Sequence, residues 1–249
     1  MKSVAIIQAR MSSERLPGKV LKPLSGKPVL AHVIGRLRRA QLLDAVMVAT
    51  SDGADDDPVA ALAKAENCPV YRGSLNDVLA RFAGAAEAAN ADVVVRVTAD
   101  CPLISPEVVD AMLGLYRRSN DTKPCVVTNA RVRTFPRGLD AEVFARAALD
   151  KANRDAQAPH QREHVTPYLY EHPELFAILD YTQPRNAAQA RWTLDTAEDY
   201  RMLSAFFALI ADSERATIDD LLAAWDAHPE LHAINADVVQ KHYAARAEP

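Results

Sequence analysis

Ala91–Val97 reads ADVVVRV, and residues 98–102 continue it as TADCP. Four valines in seven residues leave no apolar–polar alternation, so the run predicts a strand buried on both faces. A sheet covered on both faces needs helices above and below it. The flanking sequence supplies them. Val4–Ala9 and Ala45–Thr50 predict further strands, with a brief one at Val70–Tyr71. Between them lie helical stretches. Val29–Ala40 carries Val29, Leu30, Val33, Ile34 and Leu37 on one face, and Pro58–Glu66 carries Val59, Leu62 and Ala63. Asp77–Ala89 and Pro106–Tyr116 complete the alternation. Strand and helix in turn predict an α/β domain with a mostly parallel sheet, whose ligands bind beyond the strands' carboxyl ends.

From about Lys123 to Arg185 the alternation loosens. Strand-like Cys125–Asn129, the stretch Phe135–Phe144, a polar helix near Ala147–Asn153, helical REHVTPYLYEHPE and strand-like LFAILDY read as an insertion on the sheet's edge, residues 123–185, within one domain spanning 1–249. A strand–loop–helix unit at Ala190–Leu209, a helix at Ile218–Ala227 and a charged tail follow.

Composition narrows the function classes. Twenty-nine Lys and Arg against 33 Asp and Glu leave a net charge of −4, which argues against a general nucleic-acid binder. No apolar run approaches the about 18 residues of a membrane span, and the first residues read as a strand rather than a signal peptide. Cys68, Cys101 and Cys125 form no CxxC pair, so a reduced, cytoplasmic setting without structural zinc is expected. Eight glycines, against roughly 17 at average usage, suggest that each is placed for a reason. Gly35, Gly84 and Gly114 fall inside predicted helices, where they cost stability and mark close packing.

Three segments carry chemistry. ARMSSERLPGK, Ala9–Lys19, follows the first strand with Arg10, Arg15 and Lys19, the hydroxyls of Ser12 and Ser13, and a Pro17–Gly18 turn. Cations, hydroxyls and exposed backbone N–H groups are what a polyphosphate needs. The segment is neither a Walker P-loop nor a GxGxxG turn. Asp100 ends the most hydrophobic strand. Ser105 and Pro106 read as the start of the next helix, which leaves the Asp100 carboxylate for a hard metal. Leu194–Asp199 puts Asp195 at a strand end, with Thr196 and Asp199 as a near capping box. Two carboxylates at strand ends suit Mg²⁺ that keeps several waters. Cys101 reads as a small space-filler. Asp55–Asp57 reads as a solvated turn and helix N-terminus, and Tyr168 and Tyr170 as packing or dimer contacts.

These segments stand in seven collinear blocks that resemble the sugar cytidylyltransferases: the Kdo and acylneuraminate enzymes, and most closely the spore coat polysaccharide biosynthesis protein F-like branch. The blocks are the Ala9–Lys19 loop continued through VLKPLSGKPVLAHVIGRL, then VATSD, YRGSLNDVLARF, VVRVTADCPLI, PRGLDAEVF, REHVTPYLY and RWTLDTAEDY. The resemblance implies a Rossmann-like nucleotide-diphosphosugar transferase fold, CTP and Mg²⁺ as substrate and cofactor, and a homodimer. It makes Asp100 and Asp195 the metal pair and, with Arg10 and Lys19, the catalytic set. Nucleotide contacts then fall to Arg10, Ser12, Ser13, Arg15, Gly18, Lys19 and Ser51. Arg72, Gly73, Ser74 and Arg81 read the base. Ser74 and Arg81 can donate to the cytosine O2 and N3, although Ser74 also reads as a helix cap. The acceptor sugar, expected to be a keto-sugar acid, falls to Arg137, Gly138, Asp140, Glu142, Arg162, Glu163 and His164, with Arg as the partner of a carboxylate. His164 is open to two readings, general base or structural helical histidine. The rivals are an enzyme using another nucleotide or a non-sugar acceptor, a glycosyltransferase on a similar fold, for which Asp55–Asp57 would have to be a DxD motif, and a catalytically silent nucleotide-binding protein.

Overall fold

The ADVVVRV run lies inside a seven-stranded sheet in a computed structural model of the chain, which describes residues 1–119 and 122–240. The charged tail from residue 241 onward lies outside the described residues. In chain order the strands are β1 (Ser3–Gln8), β2 (Pro23–Leu24), β3 (Lys27–Pro28), β4 (Ala45–Ser51), β5 (Val70–Gly73), β6 (Val93–Thr98), β7 (Cys125–Thr128), β8 (Glu142–Ala145) and β9 (Ala177–Asp180). The sheet runs β5-β4-β1-β6-β8-β7-β9, and only β8 is antiparallel to its neighbours. β2 and β3 form a separate hairpin. Its two-residue turn has Ser25 and Gly26 both at positive φ, the type I′ geometry that matches strand twist.

Helices cover both faces, as the valine run requires. They are α1 (Val29–Leu37), α2 (Asp57–Ala65), α3 (Val78–Ala88), α4 (Pro106–Arg118), α5 (Arg146–Asp155), α6 (Pro159–His164), α7 (Pro167–Glu171), α8 (Ala197–Leu209) and α9 (Ile218–Ala227). Alternate residues of β6 go to opposite cores. Val93, Val95 and Val97 join the cluster under α1, α4 and α8, while Val94 joins the one under α3 and α5. Each fully buried valine contributes about 1.5–3 kcal/mol relative to exposure. The caps fall where the sequence places them. Ser105 accepts from Val108 N–H at 3.2 Å, and Thr196 from Asp199 N–H at 3.2 Å. Of the three helical glycines only Gly84 marks close packing, since a Cβ there would lie 2.0 Å from the Tyr71 hydroxyl.

The 123–185 region adds β7, β8 and β9 to the same sheet beside β6. REHVTPYLYEHPE is not one helix. It breaks at Val165, where φ +73 and ψ −57 form a γ-turn closed by Thr166 N–H donating to the His164 carbonyl at 2.9 Å. That conformation is rare and strained for a β-branched residue. Ala190–Asp195 is likewise not a regular strand. It is an extended segment with a single bridge, Arg191 to Arg137. Asp195 is therefore placed by Leu194 N–H donating to the Asp100 carbonyl at 2.8 Å rather than by a strand end.

Candidate active site

The loop after β1 is fixed before any ligand arrives. Gly18, at φ +67, donates its N–H to the Met11 carbonyl at 2.9 Å and closes residues 11–18 into a ring. Asp56 holds the ring to the end of β4. Its carboxylate accepts from Met11 N–H at 2.6 Å and Ser51 N–H at 3.0 Å. Asp56 is 2% exposed, so the expected solvated turn at Asp55–Asp57 is wrong at its middle residue. Burial pushes this carboxyl up, but those hydrogen bonds outweigh it and hold it below the usual carboxylate range. Ser51, expected to meet the nucleotide, is buried beside this latch.

Lys19 follows the ring and joins the two predicted metal carboxylates. Its Nζ lies 2.6 Å from Asp100 Oδ2 and 3.1 Å from Asp195 Oδ1. Thr98 donates to the other Asp100 oxygen at 2.6 Å. Burial alone would raise the Asp100 carboxyl, but the Lys19 ammonium holds it below its ordinary value. Arg15 pairs with Asp195 and donates to the Val239 carbonyl at 3.0 Å. Asp199, read from the sequence as a cap, is also fully buried against Arg191, at 2.8 Å and 2.9 Å, and accepts from Asp195 N–H at 3.0 Å. Asn235 donates to both Asp199 and the Arg191 carbonyl. Arg191 and Asn235 were missed in the sequence; eight residues separate the Arg from its Asp, and no periodicity links them. Cys101 is 2% exposed with its thiol pushed well up by burial, in keeping with a space-filler.

A cleft of about 300 Å³ opens over the carboxyl ends of β1 and β6. It brings together Arg10, Ser12, Ser13, Arg15, Lys19, Asp100, Glu163, His164 and Asp195, all singled out in the sequence, along with Gln8, Glu14 and Thr98, which were not. Arg10 makes no ion pair among the described residues. Glu163 and His164 reach this wall from the last turn of α6, directly before the strained Val165 turn. Strain of this kind costs of order 1–3 kcal/mol and clusters at functional sites. Burial, with Arg96, His160 and Arg10 nearby, lowers the His164 imidazole against the opposing pull of Glu163.

The other expected contacts are placed differently. Arg72 is used within the protein, donating to the Ser51 carbonyl at 2.9 Å, to the Gly53 carbonyl at 2.7 Å and to Asp57 at 2.6 Å. Ser74 is not the helix cap: it accepts from Asp77 N–H at 3.0 Å, and Asp77 caps α3 by accepting from Ala80 N–H at 3.0 Å. Gly73 packs on the Arg81 side chain. Arg81 is 1% exposed, donates to the Ser74 carbonyl, and keeps Nε and Nη2 without a partner. Glu142 is closed in by Arg96 and Tyr170, Asp140 by Arg133, and Arg162 by Asp77 and Asn153. The half-buried Arg137 side chain has no hydrogen-bond or ion-pair partner among the described residues, and burial lowers its guanidinium. Gly138 meets protein backbone: a Cβ there would sit 2.6 Å from the Trp192 carbonyl carbon.

The residues present fit a divalent cation. The Lys19 ammonium marks a point between Asp100 and Asp195 where a positive charge is held by both. Among the described residues no group of three or more His, Cys, Asp or Glu could hold an ion. Two carboxylates, with phosphates and waters completing the shell, are what Mg²⁺ usually takes.

A family model for cytidylyltransferases matches residues 4–227. The chain belongs to the cytidylyltransferase family. This cytidylyltransferase is 33% identical to the spore coat polysaccharide biosynthesis protein SpsF of Bacillus subtilis, over 90% of the chain and 94% of that protein. It is 35% identical to a 3-deoxy-manno-octulosonate cytidylyltransferase of Anaeromyxobacter dehalogenans, over 68% of the chain and 74% of that enzyme. The solved structure of a cytidylyltransferase from Leptospira borgpetersenii superposes with a TM-score of 0.89 at 34% identity, covering 97% of this chain and all of that one. The cytidylyltransferase is thus a nucleotidyltransferase on a Rossmann-like fold. Among the described residues no helix is long and apolar enough to cross a membrane.

Proposed function

We propose that this cytidylyltransferase transfers CMP from CTP to a hydroxyl of a sugar, a keto-sugar acid by analogy with its relatives, releasing pyrophosphate for surface glycan synthesis. The observation that carries the reading is the Lys19 ammonium set between Asp100 and Asp195 at the mouth of the phosphate loop. Mg²⁺ held by these carboxylates would supply charge neutralisation across the phosphates and acidify the attacking hydroxyl. Arg10, Arg15 and Lys19 offset charge on the α-phosphate and on the departing pyrophosphate. Ser12, Ser13 and the backbone of the 11–18 ring orient the triphosphate. The unpaired Nε–H and Nη2–H₂ of the buried Arg81 are donors that lack an acceptor, and cytosine O2 and N3 are acceptors that lack a donor. Glu163 and His164, across the cleft from Asp195, receive the acceptor.

Two measurements test this. Thermal midpoints with Mg²⁺ and each nucleoside triphosphate should rise most with CTP; a larger rise with GTP overturns the base assignment. Pyrophosphate release from CTP across a panel of 2-keto sugar acids, neutral sugars and sugar phosphates should select a 2-keto acid. Release with only the other acceptors overturns the acceptor class, and CTP binding without release from any acceptor overturns transfer to a sugar.

A further inference from the structure

The charges along the cleft do not favour a polyphosphate arriving alone. Arg10, Arg15 and Lys19 share its wall with Glu14, Asp100, Glu163 and Asp195, one carboxylate more than the cations. Two of those cations are turned onto carboxylates, Lys19 onto both Asp100 and Asp195, and Arg15 onto Asp195. A triphosphate without a metal meets a wall of its own sign. A divalent ion without nucleotide meets two carboxylates already neutralised at contact distance, with no cluster of three His, Cys, Asp or Glu to hold it among the described residues. Each ligand therefore lacks what the other would bring.

We propose that Lys19 and Arg15 are exchangeable counter-ions of Asp100 and Asp195, so that divalent cation and nucleoside triphosphate are admitted together. The two side chains pass from carboxylate to phosphate oxygens as the ion takes their place. Lys19 is suited to this. An ammonium on a flexible stem is a point charge with no fixed fork to rebuild, and Lys19 lines the same cleft as both carboxylates. The exchange conserves charge at the carboxylates throughout, so neither is left buried and unpaired at any stage. By linkage the coupling is reciprocal: whatever factor the nucleotide gives the ion, the ion gives the nucleotide. The inference rests on Asp100 and Asp195 being the cation-holding pair.

The test uses the full chain and Mn²⁺, with free ion counted by its paramagnetic resonance signal. Without nucleotide, Lys19→Met should bind one Mn²⁺ at least tenfold more tightly than the wild type, and adding Asp100→Asn should abolish the gain. Arg15→Gln, which removes one of the cations on Asp195 and leaves Lys19 and Arg191 beside it, should move in the same direction by about threefold and covers a Lys19→Met chain that fails to fold. Calorimetric CTP affinity of the wild type should rise at least tenfold from EDTA to excess Mn²⁺. Mn²⁺ binding to Lys19→Met no tighter than to the wild type overturns the exchange and leaves the cation site standing. CTP affinity indifferent to Mn²⁺ overturns the cation site itself.

Discussion

Replacing Gly138 by alanine should unfold the protein far more readily than any other single methyl group added at a turn. Two penalties coincide there. The backbone sits at φ +108, where an L side chain is strained by about 1–3 kcal/mol. The new Cβ would also lie 2.6, 2.7 and 2.8 Å from the Trp192 carbonyl carbon, its oxygen and the Thr193 nitrogen. Those are backbone atoms, so no side chain can rotate away. Overpacking of this kind costs about 1–3 kcal/mol more. Gly26→Ala supplies the control. It has φ +80 with nothing within 4 Å, so it carries the conformational penalty alone, about 1–2 kcal/mol. Urea unfolding of both variants measures the difference at constant m-value. We expect Gly138→Ala to lose about 2–6 kcal/mol. What survives should bind CTP poorly, because Trp192 is three residues from Asp195 and the Leu194–Asp100 bond must move with it. Equal destabilisation of the two variants would refute the close-approach argument.

Asp100→Asn should abolish pyrophosphate release while the unfolding transition stays cooperative; turnover within a few-fold of the wild type removes Asp100 from the chemistry. Arg36→Met should cost about 3–5 kcal/mol by urea titration. Its fully buried guanidinium, pushed down to about 10 by burial, donates to the Ile104, Ser213 and Ala216 carbonyls at 2.6, 2.5 and 3.0 Å, and all three would be orphaned. A loss below 1 kcal/mol would mean that water replaces it. The Asp56 latch makes stability depend on pH. Its carboxyl titrates lower in the folded protein than in the unfolded chain, so the unfolded state binds more protons in acid. The latch contributes fully above the unfolded value near 3.8 and is lost as pH falls through the folded one. Urea midpoints of the wild type between pH 5 and pH 3 should therefore fall more steeply than those of Asp56→Asn; parallel slopes would deny the latch.

What could be read in the sequence was local. Asp100 announces itself because a valine strand ends on it and Ser105–Pro106 starts the next helix too late to use it. Lys19 and its turn lie within eleven residues of β1. The misjudged residues answer to distant partners. Asp56 spells a polar turn, and its role comes from Met11, 45 residues away. Glu142 reads as a free acid in a polar motif until Arg96 and Tyr170 close over it. Gly138 reads as a sugar contact, and the neighbour that demands a glycine there is the Trp192 backbone 54 residues on. The turn at Val165 left no trace, because nothing in a valine foretells positive φ; the packing around it imposes that geometry.

One strand of the seven runs against the rest, and this bears on how the cleft could diversify. Because β8 is reversed, the long connection that leads into it and the carboxyl ends of β6 and β7 all open on one rim. Along that rim Gly138 meets the Trp192 backbone and Leu194 N–H reaches the Asp100 carbonyl, so segments 129–141 and 181–195 are tied to each other and to the end of β6. The reversal of one strand thus fastens a late segment of the chain, the one that ends in Asp195, to the sheet centre built from β1 and β6. If Asp195 acts as proposed, a change of acceptor must come from side chains on this rim, with its backbone ties kept, rather than from exchange of whole segments.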